Sequence, residues 1–385
     1  MNVKQIIELL PDELIDDLAV STKVDKYAKK LDGKTVFNLL IHCILSYKDN
    51  SFRRMENHFE SLSFAYVNQD NKKVKYNSIS ERLSSMDVSF FRKLYLESLN
   101  RYSQLVPKNK SNLVRYDSTI VSLSSKLLKI GYNVKGTASK YNQVKYSIGY
   151  SELPVIAYFY TEQSFTSENL ALKKVILEHD KENKDHIRVF DRGISSRKTY
   201  DELVKNKMPF VSRVNPNAKF EQVEKQTIKT KIIDELEFLE DSKAYLFTEK
   251  GKAKKIVRLI KTKQLKTDKE ICFVTSIMDS TPEQIANLYK KRWEIETFFK
   301  FIKQELNFSH FINRSKNGIE IVLYCTLIAA ILLLVYKNLN NLKGYKIMKQ
   351  KFLQELEWTI MEDIIKMCGG DSKLLHNSTG KSPPN

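Results

Sequence analysis

The sequence predicts a mixed α/β protein: a sheet with helices on its faces, preceded by a helical segment and followed by more helices. Three observations lead there. Residues 1–105 carry apolar side chains at a spacing near 3.6. From about residue 111 the pattern changes to β-branched alternation. Between 111 and 214 the segments then run β-β-β-α-β-α-β, an order that yields a mixed sheet with helices on its faces. With 385 residues the chain is long enough for two or three domains, or one domain with a large insertion, and 42% hydrophobic and 11% aromatic content suffices for a proper core.

The elements follow in order. "IIELLPDELIDDL" and "TVFNLLIHCILSY" are apolar helical stripes, and "SISERLSSMDVSFFRKLYLESLNRY" opens on serines able to cap a helix. Pro107 and "PKNKSN" mark a linker. "SNLVRYDSTIVSLS" (111–124), "NQVKYSIGYS" (142–151) and "LPVIAYFYT" (153–161) read as three strands of a meander. A helix over 166–179, a short buried strand "HIRVFDRG" (186–193), a helix "SSRKTYDELVKNK" and a strand "PFVSRV" complete the core. Residues 216–280 alternate polar and apolar with few helix signals, so a β-rich insertion is expected between the last core strand and the next helix. That helix starts with Thr281 as N-cap and Pro282 at its first position, and Glu283 suits the positive end of its dipole. Further helices are expected over 319–340 and 345–367, and the tail 369–385 reads as disordered.

The charge balance narrows function. Lys and Arg number 64 against 46 Asp and Glu, a net charge of +18, and such an excess fits a polyanionic partner, nucleic acid first. Cys43, Cys272, Cys325 and Cys368 are far apart with no Cys-x-x-Cys pair, which argues against a zinc knuckle or a disulfide framework. His42, His58, His179, His186, His310 and His376 show no ligand spacing. The amino terminus is acidic and amphipathic, unlike a signal peptide, and the apolar run 321–336 reads better as a buried helix than as a membrane span. A reducing cytoplasm is the expected compartment.

One stretch concentrates chemistry: "YKKRWEIETFFKFIK" (289–303). At about 100° per residue of one continuous helix, Tyr289, Arg292, Glu296 and Lys303 share an arc of roughly 60°. Leu288, Ile295, Phe298, Ile302 and Leu306 take the other side. An ordinary amphipathic helix with an i,i+4 ion pair accounts for Arg292 and Glu296 at a few tenths of a kcal/mol. It does not account for Tyr289 and Lys303 on the same stripe, nor for Asp117 in an otherwise apolar strand and Asp191 at the end of another. If those strands are neighbours and the helix crosses them, three carboxylates converge. Such a group needs neutralising, and hard divalent cations with oxygen ligands do so. Two cations about 3.5–4 Å apart can serve an in-line phosphoryl displacement.

"YDSTIV" around Asp117, "VFDRG" around Asp191 and the Y-x2-R-x3-E-x6-K spacing of 289–303 together resemble the DDE transposases of bacterial insertion sequences, specifically the IS-four family. The resemblance covers about 110–340 well and the preceding helices more loosely. It implies a ribonuclease-H-like catalytic domain over 110–340, with the β insertion before the Glu-bearing helix. A helical DNA-end-binding domain over 1–105 and a C-terminal helical region over 341–368 would flank it. It implies that Asp117, Asp191 and Glu296 hold two Mg²⁺ (Mn²⁺ as substitute), nick the transposon end and pass through a DNA hairpin before joining target DNA. Tyr289, Arg292 and Lys303 match positions that grip terminal phosphates, and Arg192 and Arg213 match basic positions near the site. In the best-described member of this family a Trp of the insertion stacks on a flipped base. Here the only tryptophans are Trp293 and Trp358, so stacking falls to Trp293 or to Phe220, Tyr245, Phe247 or Phe273. Arg53 and Arg54, near a helix start, and the basic loop of "NQDNKKVKYNSISERL" are candidates for reading terminal repeats. The resemblance further implies double-stranded DNA as partner, both element ends and target, a homodimer in the synaptic complex, and a place in the bacterial cytoplasm at the nucleoid. A DNA-binding descendant without catalysis and a structure-specific nuclease are the alternatives.

Overall fold

The computed structural model describes residues 1–372 apart from 47–49, 62–63, 66–72, 107–111, 123–130, 132–142, 180–182, 195, 229–231, 249–250, 309–312 and 314. Most of the basic loop before residue 73, nearly all of the linker expected at 107–112 and the whole of the tail beyond 372 lie outside the described residues. The chain forms two compact units, one of residues 108–299 and one of residues 1–107 with 300–385.

In the 108–299 unit the expected strand order appears. β1 (Leu113–Ser122), β2 (Gln143–Ser151) and β3 (Leu153–Tyr160) form an antiparallel meander. After helix α7 (Glu168–His179), β4 (Ile187–Phe190) returns parallel to β1. After α8 (Arg197–Lys205), β5 (Phe210–Val214) lies parallel to β4. Side chains alternate across β1. Val114 and Tyr116 enter the core shared with α7 and α8, whereas Leu113 enters the core on the opposite face. Gly149 stands opposite Tyr116, and a Cβ there would lie 2.9 Å from the Tyr116 ring and 2.8 Å from Ile156, so this crossing of strand and ring tolerates only glycine.

The insertion does not form a separate sheet. β6 (Phe220–Lys225), β7 (Ile232–Ile233), β8 (Leu236–Thr248), β9 (Gly251–Lys252), β10 (Val257–Gln264) and β11 (Lys269–Thr275) extend the core sheet, because β11 pairs antiparallel with β5. The path is β3-β2-β1-β4-β5-β11-β10-β8-β6, with β7 and β9 on β8, in a sheet of 11 strands. β6 at the far edge is mostly exposed and carries Glu221, Glu224 and Lys225, charges that discourage further strand pairing. A buried ion pair anchors the insertion: Arg258 donates to both Asp241 oxygens at 2.9 and 2.6 Å and also to the carbonyls of Met278 and Ser280. Helix α9 (Pro282–Lys290) follows at once, with Thr281 and Gln284 forming a capping box and Pro282 at its start. Its apolar residues Ile285 and Ala286 pack on the Leu113 face of the sheet.

The other unit is helical. It contains α1 (Val3–Ile7), α2 (Asp12–Thr22), α3 (Gly33–Ser46), α4 (Phe52–Phe59), α5 (Tyr76–Ser85), α6 (Val88–Tyr102), α11 (Lys316–Leu339) and α12 (Tyr345–Met367). α11 is long and apolar enough to cross a membrane, yet it is buried almost throughout, packed on α3, α5 and α6. The sequence places this segment in the catalytic domain. Its packing is with the helices, because a helix apolar all round must be surrounded. Glu355 of α12 accepts from the Val3 backbone at 2.8 Å and from the Tyr336 hydroxyl at 2.7 Å, joining α1, α11 and α12.

Candidate active site

Asp117 and Asp191 are brought together by the β1–β4 register. Tyr116 pairs with Phe190 on these parallel neighbours, and each aspartate is the next residue. Adjacent strands lie about 4.8 Å apart, so the two carboxylates leave the sheet side by side.

Residues 289–303 are not one helix, contrary to the sequence expectation. α9 ends at Lys290 and α10 (Trp293–Glu305) begins at Trp293. Between them the backbone tightens. The Arg292 N–H donates to Tyr289 O at 2.9 Å, Glu294 N–H to Lys291 O at 3.1 Å and Ile295 N–H to Arg292 O at 3.2 Å, each a three-residue step. Arg292, Glu296 and Tyr289 still meet at the aspartates. Arg292, buried, places one terminal nitrogen 2.5 Å from Glu296 and the other 4.0 Å from Asp117. The Tyr289 hydroxyl donates to Asp191 at 3.4 Å, and Arg213 lies 3.6 Å from the same carboxylate oxygen. The Tyr289 ring lies under both guanidiniums, 4.9 Å from Arg213 and 5.7 Å from Arg292.

Burial pushes the Asp117 carboxyl up to about 6; Glu168 and Asp191 add like-charge repulsion, while the Ser118 N–H at 2.7 Å and Arg292 oppose it. For Arg292, burial works against the charge, but Tyr289, Glu296 and Asp191 outweigh it and hold the guanidinium above its ordinary value. Burial likewise raises the Tyr289 phenol against the pull of Arg213 and Arg292, so it stays a hydroxyl donor.

Glu168 is an acidic neighbour that sequence reading did not single out. It opens α7, burial raises its carboxyl, Lys145 lowers it and Asp191 raises it again. Its carboxylate lies against the backbone of Gly193, two residues after Asp191, where any Cβ would strike it at 2.5 Å. Its only sequence signal is an acidic first-turn position after a core strand, which many helices share.

Among the described residues no group of three His, Cys, Asp or Glu side chains stands close enough to hold a metal ion. The acidic side chains are instead spaced around guanidiniums, which supply the positive charge. The donor set still suits a hard divalent cation. It is all carboxylate oxygen and partly buried, and burial, with a smaller push from the charges of Glu168 and Asp191, already raises Asp117. Arg292 holds the place of that charge between Asp117 and Glu296.

Residues 109–332 match the family described as the transposase DDE domain. The chain belongs to this family. A transposase DDE domain is a metal-dependent DNA-cleaving enzyme of ribonuclease-H-like fold, and insertion-sequence transposases of the IS-four type are among this chain's relatives. A Synechocystis protein named as a transposase for insertion sequence element IS4SA is 25% identical over 313 residues, 79% of this chain and 81% of its own length. A transposase-like protein of Sinorhizobium fredii is 28% identical over 40% of this chain and 43% of its own. One of Geobacillus stearothermophilus, named for element IS5377, is 26% identical over 39% of each. The piggyBac transposase, solved as a synaptic complex with hairpin DNA, shares the fold at a TM-score of 0.51 and 13% identity, covering 100% of this chain and 86% of that one.

The remaining candidate residues of this DDE transposase fall as follows. Trp293 begins α10 and is 64% exposed. Arg192, just after Asp191, is exposed, and its backbone N–H donates to the Asp191 carboxylate at 2.5 Å. Lys303 is half-buried near the end of α10 and belongs to the helical unit. Arg53 and Arg54 are exposed on α4, Arg53 lying 5.6 Å from the Tyr76 ring. Among the insertion aromatics Phe273 is buried, Phe220 and Tyr245 are half-buried, and Phe247 is exposed.

Proposed function

We propose that Asp117, Asp191 and Glu296 are the catalytic and metal-holding carboxylates of this transposase. The supporting observation is their arrangement: two aspartates one step beyond a single β1–β4 pair, and a glutamate tied to one of them through Arg292. Two divalent cations, Mg²⁺ or Mn²⁺, would neutralise these groups and activate water for strand cleavage when bound. The protein's own part is binding and orientation. Arg292, Arg213 and Arg192 offer planar forks for the phosphates flanking the scissile bond, and the Tyr289 hydroxyl a hydrogen bond; Lys303 is a further phosphate-binding candidate by its spacing in the sequence. Trp293, exposed beside Arg292, has the surface to stack on a base displaced at the DNA end, as a hairpin route requires. The helices of 1–105, with Arg53 and Arg54, bind the terminal inverted repeats, and two copies bridge the two ends before both are joined to target DNA.

The test is strand cleavage of a plasmid carrying the DNA segments on either side of the coding region, with Mg²⁺, comparing wild type with Asp117→Asn and Glu296→Gln. Wild type should nick at the ends. Both variants should retain DNA in a gel shift and cut nothing, with binding falling steeply as salt rises. Cutting by either variant rejects the assignment.

A further inference from the structure

Arg115 lies on β1 two residues before Asp117, so both side chains point to the same sheet face, the one bearing α9 and α10. An arginine there is unexpected: it is 1% exposed in a position shared with Leu113, which serves the apolar core. Its contacts explain its presence. Nε donates to the carbonyl of Lys291 at 3.2 Å, and a terminal nitrogen pairs with Glu294. The other terminal nitrogen lies 3.7 Å from Glu152, and the Tyr150 ring sits 6.0 Å from the guanidinium carbon. Tyr150 in turn stacks on Phe298 of α10 at 4.8 Å.

These contacts converge on the break between α9 and α10. A continuous α-helix would give the Lys291 carbonyl to residue 295. Here Ile295 donates to Arg292 instead, and the Lys291 carbonyl receives Glu294 and Arg115. A side chain entering the ladder is one of the few causes of a sharp helix break. The next residue, Arg292, is the one that reaches Glu296 and Asp117.

We infer that Arg115 is a positioning residue for the catalytic centre: by clamping the Lys291 carbonyl and Glu294 it fixes the α9–α10 break that aims Arg292 and Glu296 at Asp117. The clamp needs the planar fork. A lysine ammonium keeps the charge but cannot hold a carbonyl and a carboxylate in the same geometry. Partners that orient first-contact groups commonly govern about 10–100-fold of metal affinity or activity.

The inference rests on the proposed catalytic role of Asp117 and Glu296, and its test separates the two. Arg115→Lys and Glu294→Gln are compared with wild type and Asp117→Asn in three readouts: Mn²⁺ affinity by electron paramagnetic resonance, single-turnover cleavage at saturating plasmid DNA, and thermal midpoint. Arg115→Lys should weaken Mn²⁺ binding roughly 10-fold and slow cleavage roughly 10–100-fold, with DNA affinity within about threefold. Glu294→Gln, at a half-exposed position, should lose activity in the same direction by several-fold while keeping the wild-type midpoint. Wild-type Mn²⁺ affinity and rate in both variants, with Asp117→Asn inactive, overturn the positioning role alone. So does an activity loss that vanishes once corrected for folded fraction. An active Asp117→Asn overturns the catalytic reading itself.

Discussion

Asp117→Asn should make the metal-free protein more stable while abolishing cleavage. Burial and the neighbouring negative charges of Glu168 and Asp191 raise the Asp117 carboxyl from 3.8 to about 6, despite the Ser118 N–H and Arg292. A carboxyl whose pKa is higher in the fold contributes stability that is complete below its unfolded value and lost as pH rises through the folded one. A displacement of roughly two pH units at about 1.4 kcal/mol each makes the charged Asp117 cost about 3 kcal/mol at pH 7. Asn is neutral and nearly isosteric. Its amide cannot favour Arg292 as a carboxylate does, but that attraction is already contained in the net shift. The expected gain is therefore about 1–3 kcal/mol, on the order of 5 °C in midpoint for a unit of this size. The assay is thermal unfolding in chelator, wild type beside Asp117→Asn, from pH 4 to 8. The difference should grow with pH, and Mg²⁺ should shrink it by binding only the wild-type site tightly. A variant less stable than wild type at pH 7 in chelator, or a difference independent of pH, refutes the reasoning.

Other consequences are equally specific. Arg258→Met should cost about 3–5 kcal/mol, because Asp241, 1% exposed, is left as a buried unpaired charge; replacing Asp241 by Leu as well should restore part of it in urea unfolding. Gly149→Ala should cost about 1–3 kcal/mol by forcing a methyl into Tyr116 and Ile156, read as a lower denaturant midpoint. His42, stacked 3.7 Å from His58, is pushed down to about 4 by burial and by that neighbour. The unfolded chain therefore binds its proton first, and the stability present above pH 6.5 is lost as pH falls toward 4, by roughly 2–3 kcal/mol at pH 4.5. His42→Gln should flatten that part of the stability–pH profile of the helical unit, and an unchanged slope contradicts the origin given.

What the sequence made legible was whatever local chemistry decides. Thr281 as N-cap, Pro282 at the first position and Glu283 in the first turn favour a helix start by local chemistry alone, and the Gln284 half of the capping box adds to it. Asp117 stood out because a carboxylate is out of place in an apolar strand, and Asp191 because it ends one. The break after Lys290 was not legible. Propensity and the polar stripe of 289–303 both favour one helix, and the side chain that interrupts it comes from β1, over 170 residues earlier. Glu168 was hidden for the same reason: its neighbours depend on where β3 and α7 carry it. The insertion reads as β from its alternation, but pairing of β11 with β5 is a non-local choice that periodicity does not encode. The run 321–336 reads as a buried helix from composition alone, whereas which helices bury it is a matter of tertiary packing.

The most direct measurement replaces Mg²⁺ by Fe²⁺ in the DNA-bound protein and maps, by mass spectrometry, where ascorbate and peroxide cut the polypeptide near the bound iron. Scission clustered around residues 117, 191 and 296, suppressed by excess Mg²⁺ and lost in Asp117→Asn, is the expected result. Cuts that spare any one of these three segments, or that persist in Asp117→Asn, contradict a cation centre shared by the three carboxylates.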